Sequence, residues 1–209
     1  VETTIKLEEL RSAIRTCTSC RLHANRQIGV PGEGPCPCDL MAIGEAPGAV
    51  EDSNGKPFQG PSGNFLNELL QSIGLDRSQI FITNIVKCKP PLQGGTIRVP
   101  FPDEADACAH WLNLQIELVN PKLVILIGGT ALQRFMAGRS GIMKVRGQPV
   151  VVEGRTFLPV LHPAAALHNS SMRPLVWEDF RKIPSILEQA QVAVREPEVS
   201  RPALFDVGG

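Results

Sequence analysis

The sequence predicts an α/β fold, a central, mainly parallel sheet with helices on both faces, and two observations carry that reading. Runs that are apolar throughout, such as Leu40-Met41-Ala42-Ile43 and Leu123-Val124-Ile125-Leu126-Ile127, have the pattern of strands buried on both faces. They alternate along the chain with amphipathic stretches long enough for helices, as crossover-connected parallel strands require. In such sheets ligands bind outside the carboxyl ends of the strands.

Each element follows from its local pattern. Ile5, Leu7, Leu10 and Ile14 recur at helical spacing, so a short amphipathic helix is expected over 5–16, leading into Cys17-Thr18-Ser19-Cys20. The Gly/Pro-rich stretch 29–35 is loop by composition. The first strand ends in Gly44-Glu45-Ala46-Pro47-Gly48 and is followed by a polar loop. Ser62 then reads as the N-cap of a helix through Phe65, Leu66, Leu69, Leu70 and Ile73, stopped by Gly74. Ile80 to Val86 is a second strand before the breaker Pro90-Pro91, and Asp103 reads as the cap of a long helix carrying Cys108, Trp111, Leu112 and Ile116. Gly128-Gly129 closes the third strand before a helix over 130–136. Two strands, 149–152 and 156–161, flank Glu153-Gly154-Arg155, and the second runs into His162-Pro163. A final helix is expected over 175–192, with a frayed tail after Pro197.

The 209 residues suit a single domain, 1–209, and 43% hydrophobic with 20% charged residues excludes disorder of the whole chain. The apolar runs fall far short of the ~18 residues of a membrane span, and no secretory pattern opens the sequence, so a cytoplasmic, monomeric protein with no membrane partner is expected. Lys plus Arg and Asp plus Glu both number 21, so any nucleic-acid surface has to be a local patch. Lys87, Lys89, Arg98, Lys144, Arg146 and Arg173 are the candidates for it.

Six cysteines in such a chain read as metal or redox ligands rather than disulfides. Cys17 and Cys20 form a C-x2-C pair, and Cys88 and Cys108 add thiols from two further places. Four thiolates so placed can enclose a zinc ion or an iron-sulfur cluster, and the wide split of the second pair favours the larger group. Cys36 and Cys38, one residue apart, read as ordinary free thiols.

Glu45, Asn84 and His162 are each unremarkable alone, but all stand at strand ends that converge in a parallel sheet. Phe58 lies in a Gly/Pro-rich loop, either as a plug beneath it or as a flat platform for a planar ligand. Gly60-Pro61-Ser62-Gly63 before a helix offers N–H groups to an anion such as phosphate.

Taken in order, Gly44-Glu45-Ala46-Pro47-Gly48, Glu51-Asp52, Gly55 to Gly60, Ile82 to Pro91, Arg146-Gly147 and His162-Pro163-Ala164 resemble the motifs of the family 4, iron-sulfur uracil-DNA glycosylases. The resemblance spans Cys17 to Phe180. It implies a [4Fe-4S] cluster held by Cys17, Cys20, Cys88 and Cys108, and a uracil pocket built from Phe58, Asn84 and His162 with Ala46, Gly48 and Ser62 beside it. The implied activity is hydrolysis of the N-glycosidic bond of uracil in single- or double-stranded DNA, releasing free uracil and leaving an abasic site. His162 is then expected to donate to uracil O2, and Glu51, with Glu45 as second choice, to hold the attacking water or face the cationic sugar.

Three places depart from the pattern. Ala46 stands where other branches of the superfamily carry an Asp or Asn for the water. Leu167-His168 follows His162-Pro163 where an Arg is common, and 92–101 is longer than usual. That segment contains no His, which argues for turnover rather than the covalent capture of uracil-DNA by a sister group. The competing readings are a binder of uracil-DNA without turnover and an electron carrier using the cluster.

Overall fold

The computed structural model describes residues 2–138 and 141–195, and the expected frayed tail lies outside them. In chain order the elements are α1 (Glu2–Thr16), β1 (Leu40–Gly44), α2 (Ala49–Asn54), α3 (Pro61–Ser72), β2 (Phe81–Asn84), the short strands β3 (Leu92–Gln93) and β4 (Thr96–Ile97), and α4 (Pro102–Val119). Then come β5 (Leu123–Ile127), α5 (Gly129–Phe135), α6 (Ile142–Val145), β6 (Val150–Val152), β7 (Arg155–Val160), α7 (Pro163–His168), α8 (Arg173–Arg181) and α9 (Ile183–Arg195).

The five-stranded sheet has the order β2-β1-β5-β7-β6, with every neighbouring pair parallel except β6 and β7. Every residue of β1, β2 and β5 is buried, as the unbroken apolar character of β1 and β5 predicts; β2 buries two polar residues as well, Thr83 and Asn84. Side chains alternate between two cores. Leu40 and Ala42 pack with Phe65, Leu66, Leu69 and Phe180 on one face, while Met41 and Ile43 pack with Leu112, Val119 and Leu132 on the other. Burying each such leucine contributes roughly 1.5–3 kcal/mol.

The register sets the site. Gly44 lies level with Asn84, Ile43 with Leu126, and Ile127 with Val160, so the carboxyl ends of four strands form one rim. The chain leaves β1 toward β2 on one side, and β5 leads to β7 on the other. The crevice between β1 and β5 is therefore the switch point at which parallel sheets take ligands.

Several boundaries differ from the sequence reading, each for a local reason. The segment after Gly48 is helical (α2) rather than loop. Gly60 and Phe101, not Ser62 and Asp103, are the caps of α3 and α4, because Pro61 and Pro102 take the first helical position, where a missing N–H costs nothing. The single helix expected over 175–192 is two, α8 and α9, broken at Lys182 just before Pro184, whose ring cannot continue a helix. The long segment after Pro90-Pro91 folds into the β3–β4 hairpin, and Leu167-His168 closes α7. β7 ends at Val160, and His162 caps α7 instead of prolonging the strand.

Candidate active site

A cavity of about 330 Å3 opens at the rim, lined by Ala46, Gly48, Glu51, Phe58, Ser62, Asn84 and His162 together with Ala49, Val50, Gly60 and Pro61. Seven of the eight non-cysteine site residues expected from the sequence thus meet in one place. The eighth, Glu45, stands beside it.

Gly44 makes the floor. A Cβ there would lie 2.5 Å from Asn84 Oδ1 and 2.5 Å from Phe58 Cζ, so only a glycine lets both side chains approach the end of β1. Asn84 is buried, and its Oδ1 has no hydrogen-bond partner among the described residues. An unpaired buried acceptor is costly, so this one points to a ligand that brings a donor.

Phe58 holds a left-handed backbone (φ 51°), strained for a residue with a bulky side chain. Its surroundings over-determine it. Arg77 donates to the carbonyls of Pro57 and Phe58 (3.2 Å to the latter) while pairing with Glu33 at 2.6 Å, and a Cβ on Gly63 would overlap the Phe58 carbonyl at 1.8 Å. Sequence reasoning missed Arg77, which acts on a loop about twenty positions away, and it read Gly63 as part of an anion site rather than as room for the Phe58 carbonyl. The Phe58 and His162 rings stand 5.9 Å apart with planes 23° from parallel.

His162 is oriented by its own helix. Its Nδ1 accepts the Ala164 N–H at 3.1 Å, which leaves the proton of a neutral imidazole on Nε2. Burial pushes its pKa down to about 4, so the ring is a neutral donor at physiological pH. The preceding residue is fixed from beneath, where the buried Asp179 accepts the Leu161 N–H at 3.0 Å and pairs with Arg146 at 3.1 Å.

The two carboxylates differ in their hydrogen-bond partners. Glu51 is already committed: its Oε1 accepts from Gln59 N (2.7 Å) and Gly60 N (2.9 Å), and its Oε2 from Gly48 N (3.0 Å). It closes the loop around the cavity, and it stands where the sequence reading placed a phosphate at the start of α3. Glu45, half-buried, makes one side-chain hydrogen bond among the described residues, from the Thr130 hydroxyl at the start of α5. Most of the basic candidates are likewise spent internally. Lys87 is buried, Lys89 pairs with Asp52 at 2.7 Å, Arg98 grips Glu104 at 2.6 and 2.7 Å over the Phe101 ring, and Arg146 holds Asp179. Arg173 and Lys144 are exposed.

Cys17 and Cys20 (after α1), Cys88 (beyond β2) and Cys108 (in α4) line a second, smaller cavity with Ser19, His23, Lys87, Ala107 and Trp111. Donors converge on the sulfurs: Trp111 Nε1 on Cys17 at 3.1 Å, Ser19 N on Cys17 at 3.4 Å, and Arg26 on Cys88 at 2.7 Å. These are the partners a thiolate needs, and the donor set fits an iron-sulfur cluster. Among the described residues, no group of three or more His, Cys, Asp or Glu is drawn in tightly enough to hold one metal ion. Burial alone would push Cys17 up, but the bonds from Ser19 and Trp111 outweigh it and hold the thiol below its usual range. Burial does push Cys88 up, to about 11, and Cys108 in the same direction, so ligation there has to release protons. Cys36 and Cys38 lie elsewhere and donate to backbone carbonyls, Cys36 to Leu118 (3.2 Å) and Cys38 to Leu40 (3.2 Å).

The profile of the uracil DNA glycosylase superfamily matches residues 31–181. The chain belongs to this superfamily. It is 40% identical to a type-4 uracil-DNA glycosylase of Thermotoga maritima, over 88% of this chain and 95% of that protein. A type-4 uracil-DNA glycosylase of Saccharolobus solfataricus is 39% identical over 90% and 89%, and one of Archaeoglobus fulgidus 34% identical over 96% and 98%. The motif resemblance and the superfamily's α/β fold are thereby borne out. Among the described residues no helix is long and apolar enough to cross a membrane.

Proposed function

We infer that this protein, as a single domain acting on DNA in the cytoplasm, is a uracil-DNA glycosylase that removes uracil from DNA and leaves an abasic site. The observation that carries the reading is the unpartnered Asn84 Oδ1 in a cavity shared with Phe58 and His162. A base flipped into this cavity would stack on Phe58. Asn84 then accepts from uracil N3–H and donates to O4, whereas cytosine offers a bare N3 and an amine in the opposite sense.

Cleavage of the N1–C1′ bond leaves its electron pair on uracil and positive charge on the sugar. The neutral Nε2–H of His162 donates to O2 as negative charge builds there, and losing such a donor typically costs about 10²–10³-fold in rate. Glu45, held by Thr130 and less committed than Glu51, holds the water that adds to C1′ and takes its proton. Glu51 shapes the loop that carries the cavity wall. Cys17, Cys20, Cys88 and Cys108 would hold the [4Fe-4S] cluster, which when bound supplies metal–thiolate bonds joining the chain after α1, the end of β2 and α4. The active species is a monomer, with free uracil as product.

The test is release of abasic sites from uracil-containing DNA under excess substrate. Turnover is expected, and stoichiometric binding without release would sink the enzymatic reading. Asn84→Asp should weaken uracil excision and relatively favour cytosine; unchanged discrimination would remove Asn84 from the base edge.

A further inference from the structure

One charged side chain lies between the cysteine cavity and the base pocket. Lys87 is 1% exposed, and its ammonium donates to Thr83 Oγ1 (2.8 Å), Asn84 O (2.6 Å) and Gln115 Oε1 (2.6 Å). All three acceptors are neutral. Gln115 is itself fixed, since its amide nitrogen donates to the Pro31 carbonyl, which turns its oxygen toward the lysine. The same Lys87 lines the cavity of the four cysteines, and the groups there that would face its charge as thiolates are the sulfurs of Cys88 and Cys108.

A buried ammonium with only neutral acceptors carries a desolvation cost that hydrogen bonds alone do not offset. Four thiolates around an iron-sulfur core leave net negative charge in the adjoining cavity, and that charge supplies the missing counterion. At its other end the ammonium grips the carbonyl of the residue whose carboxamide faces the base pocket. We propose that Lys87 is a positioning residue that couples the two sites: sulfur-borne charge on one side retains the ammonium, and the ammonium holds Asn84 in the orientation that reads the base. The proposal rests on the uracil-binding reading above and gives the cysteine site an effect on recognition beyond that of a covalent staple.

Coupling between two sites is reciprocal, so if the cluster favours uracil binding, uracil has to favour retention of the cluster. The experiment uses the purified iron-loaded protein and free uracil. Uracil affinity is measured by calorimetry, and loss of the visible iron-sulfur absorption to an excess of ferrous-iron chelator is timed with and without saturating uracil. In the wild type, uracil should slow iron loss about fivefold or more, the low end of ordinary coupling between sites. Lys87→Met should assemble with the same iron content, bind uracil at least about tenfold more weakly, and lose the protection even when uracil is saturating. Gln115→Met, which keeps the charge and removes one acceptor, should reduce the protection partway, and it decides the matter if Lys87→Met does not assemble. Protection equal to wild type in either variant overturns the proposal, as does a wild type that binds uracil and gains no protection. A wild type that binds no uracil at all overturns instead the functional reading on which the proposal stands.

Discussion

The Glu51 carboxylate accepts the Gln59 backbone N–H at 2.7 Å and so ties the start of α2 to the loop that enters α3. Because the same carboxylate also serves Gly48 and Gly60, Glu51→Gln puts a donor where three N–H groups need an acceptor. Thermal unfolding should show a loss of roughly 1–3 kcal/mol, with the single-turnover rate reduced only as far as the loop loosens. Unchanged stability with a collapsed rate would return the catalytic carboxylate to Glu51.

Glu45 and Thr130 should behave in the opposite way. Glu45→Gln should melt within a degree or two of wild type and slow single-turnover excision about 10²-fold or more, the range of a lost general base. Thr130→Val should reproduce part of that loss and Thr130→Ser should restore it, because the hydroxyl alone aims the carboxylate. Wild-type rates in both Glu45→Gln and Thr130→Val would exclude this assignment.

His162 gives a prediction with a definite sign. Burial holds its pKa at about 4 in the folded protein, against about 6.5 unfolded. The folded state therefore binds fewer protons between these values. The stabilisation from keeping the ring neutral is complete above pH 6.5, declines as pH falls toward 4, and amounts to at most about 3 kcal/mol. Chemical denaturation of wild type and His162→Gln across pH 7 to 4 should show the wild type losing more stability on acidification. Equal slopes would mean that the ring titrates normally.

Arg77 should matter to binding more than to chemistry. Without its bonds to the Pro57 and Phe58 carbonyls, Arg77→Met lets the strained Phe58 backbone relax and moves the stacking face. Free-uracil affinity should fall about tenfold, equivalent to roughly 1.4 kcal/mol, with kcat at saturating DNA within about twofold of wild type. A fall in kcat without a rise in KM would count against a stacking role for Phe58.

Features written in contiguous patterns are legible before folding is considered. Apolar runs located β1, β2 and β5 to within two residues, since strands buried on both faces are mostly apolar. The motifs at the strand ends brought Asn84 and His162 together, because a parallel sheet gathers its carboxyl ends whatever the loop lengths, while Phe58 stood out as an aromatic residue in a Gly/Pro-rich loop. Helix starts were misplaced by two residues where a proline, rather than the polar residue after it, set the boundary.

Which of these groups are chemically free depends on partners that the folded chain brings together. Glu45 and Glu51 look alike in the chain, yet Glu51 is consumed by backbone N–H groups up to nine positions away, while Glu45 meets a hydroxyl 85 positions away. Four of the six candidate cations are likewise committed to internal partners, and the tautomer of His162 follows from one backbone N–H of α7. Burial leaves a periodic trace in sequence because it acts on every residue of an element. A hydrogen bond or ion pair acts on two atoms, and folding alone brings the second one near.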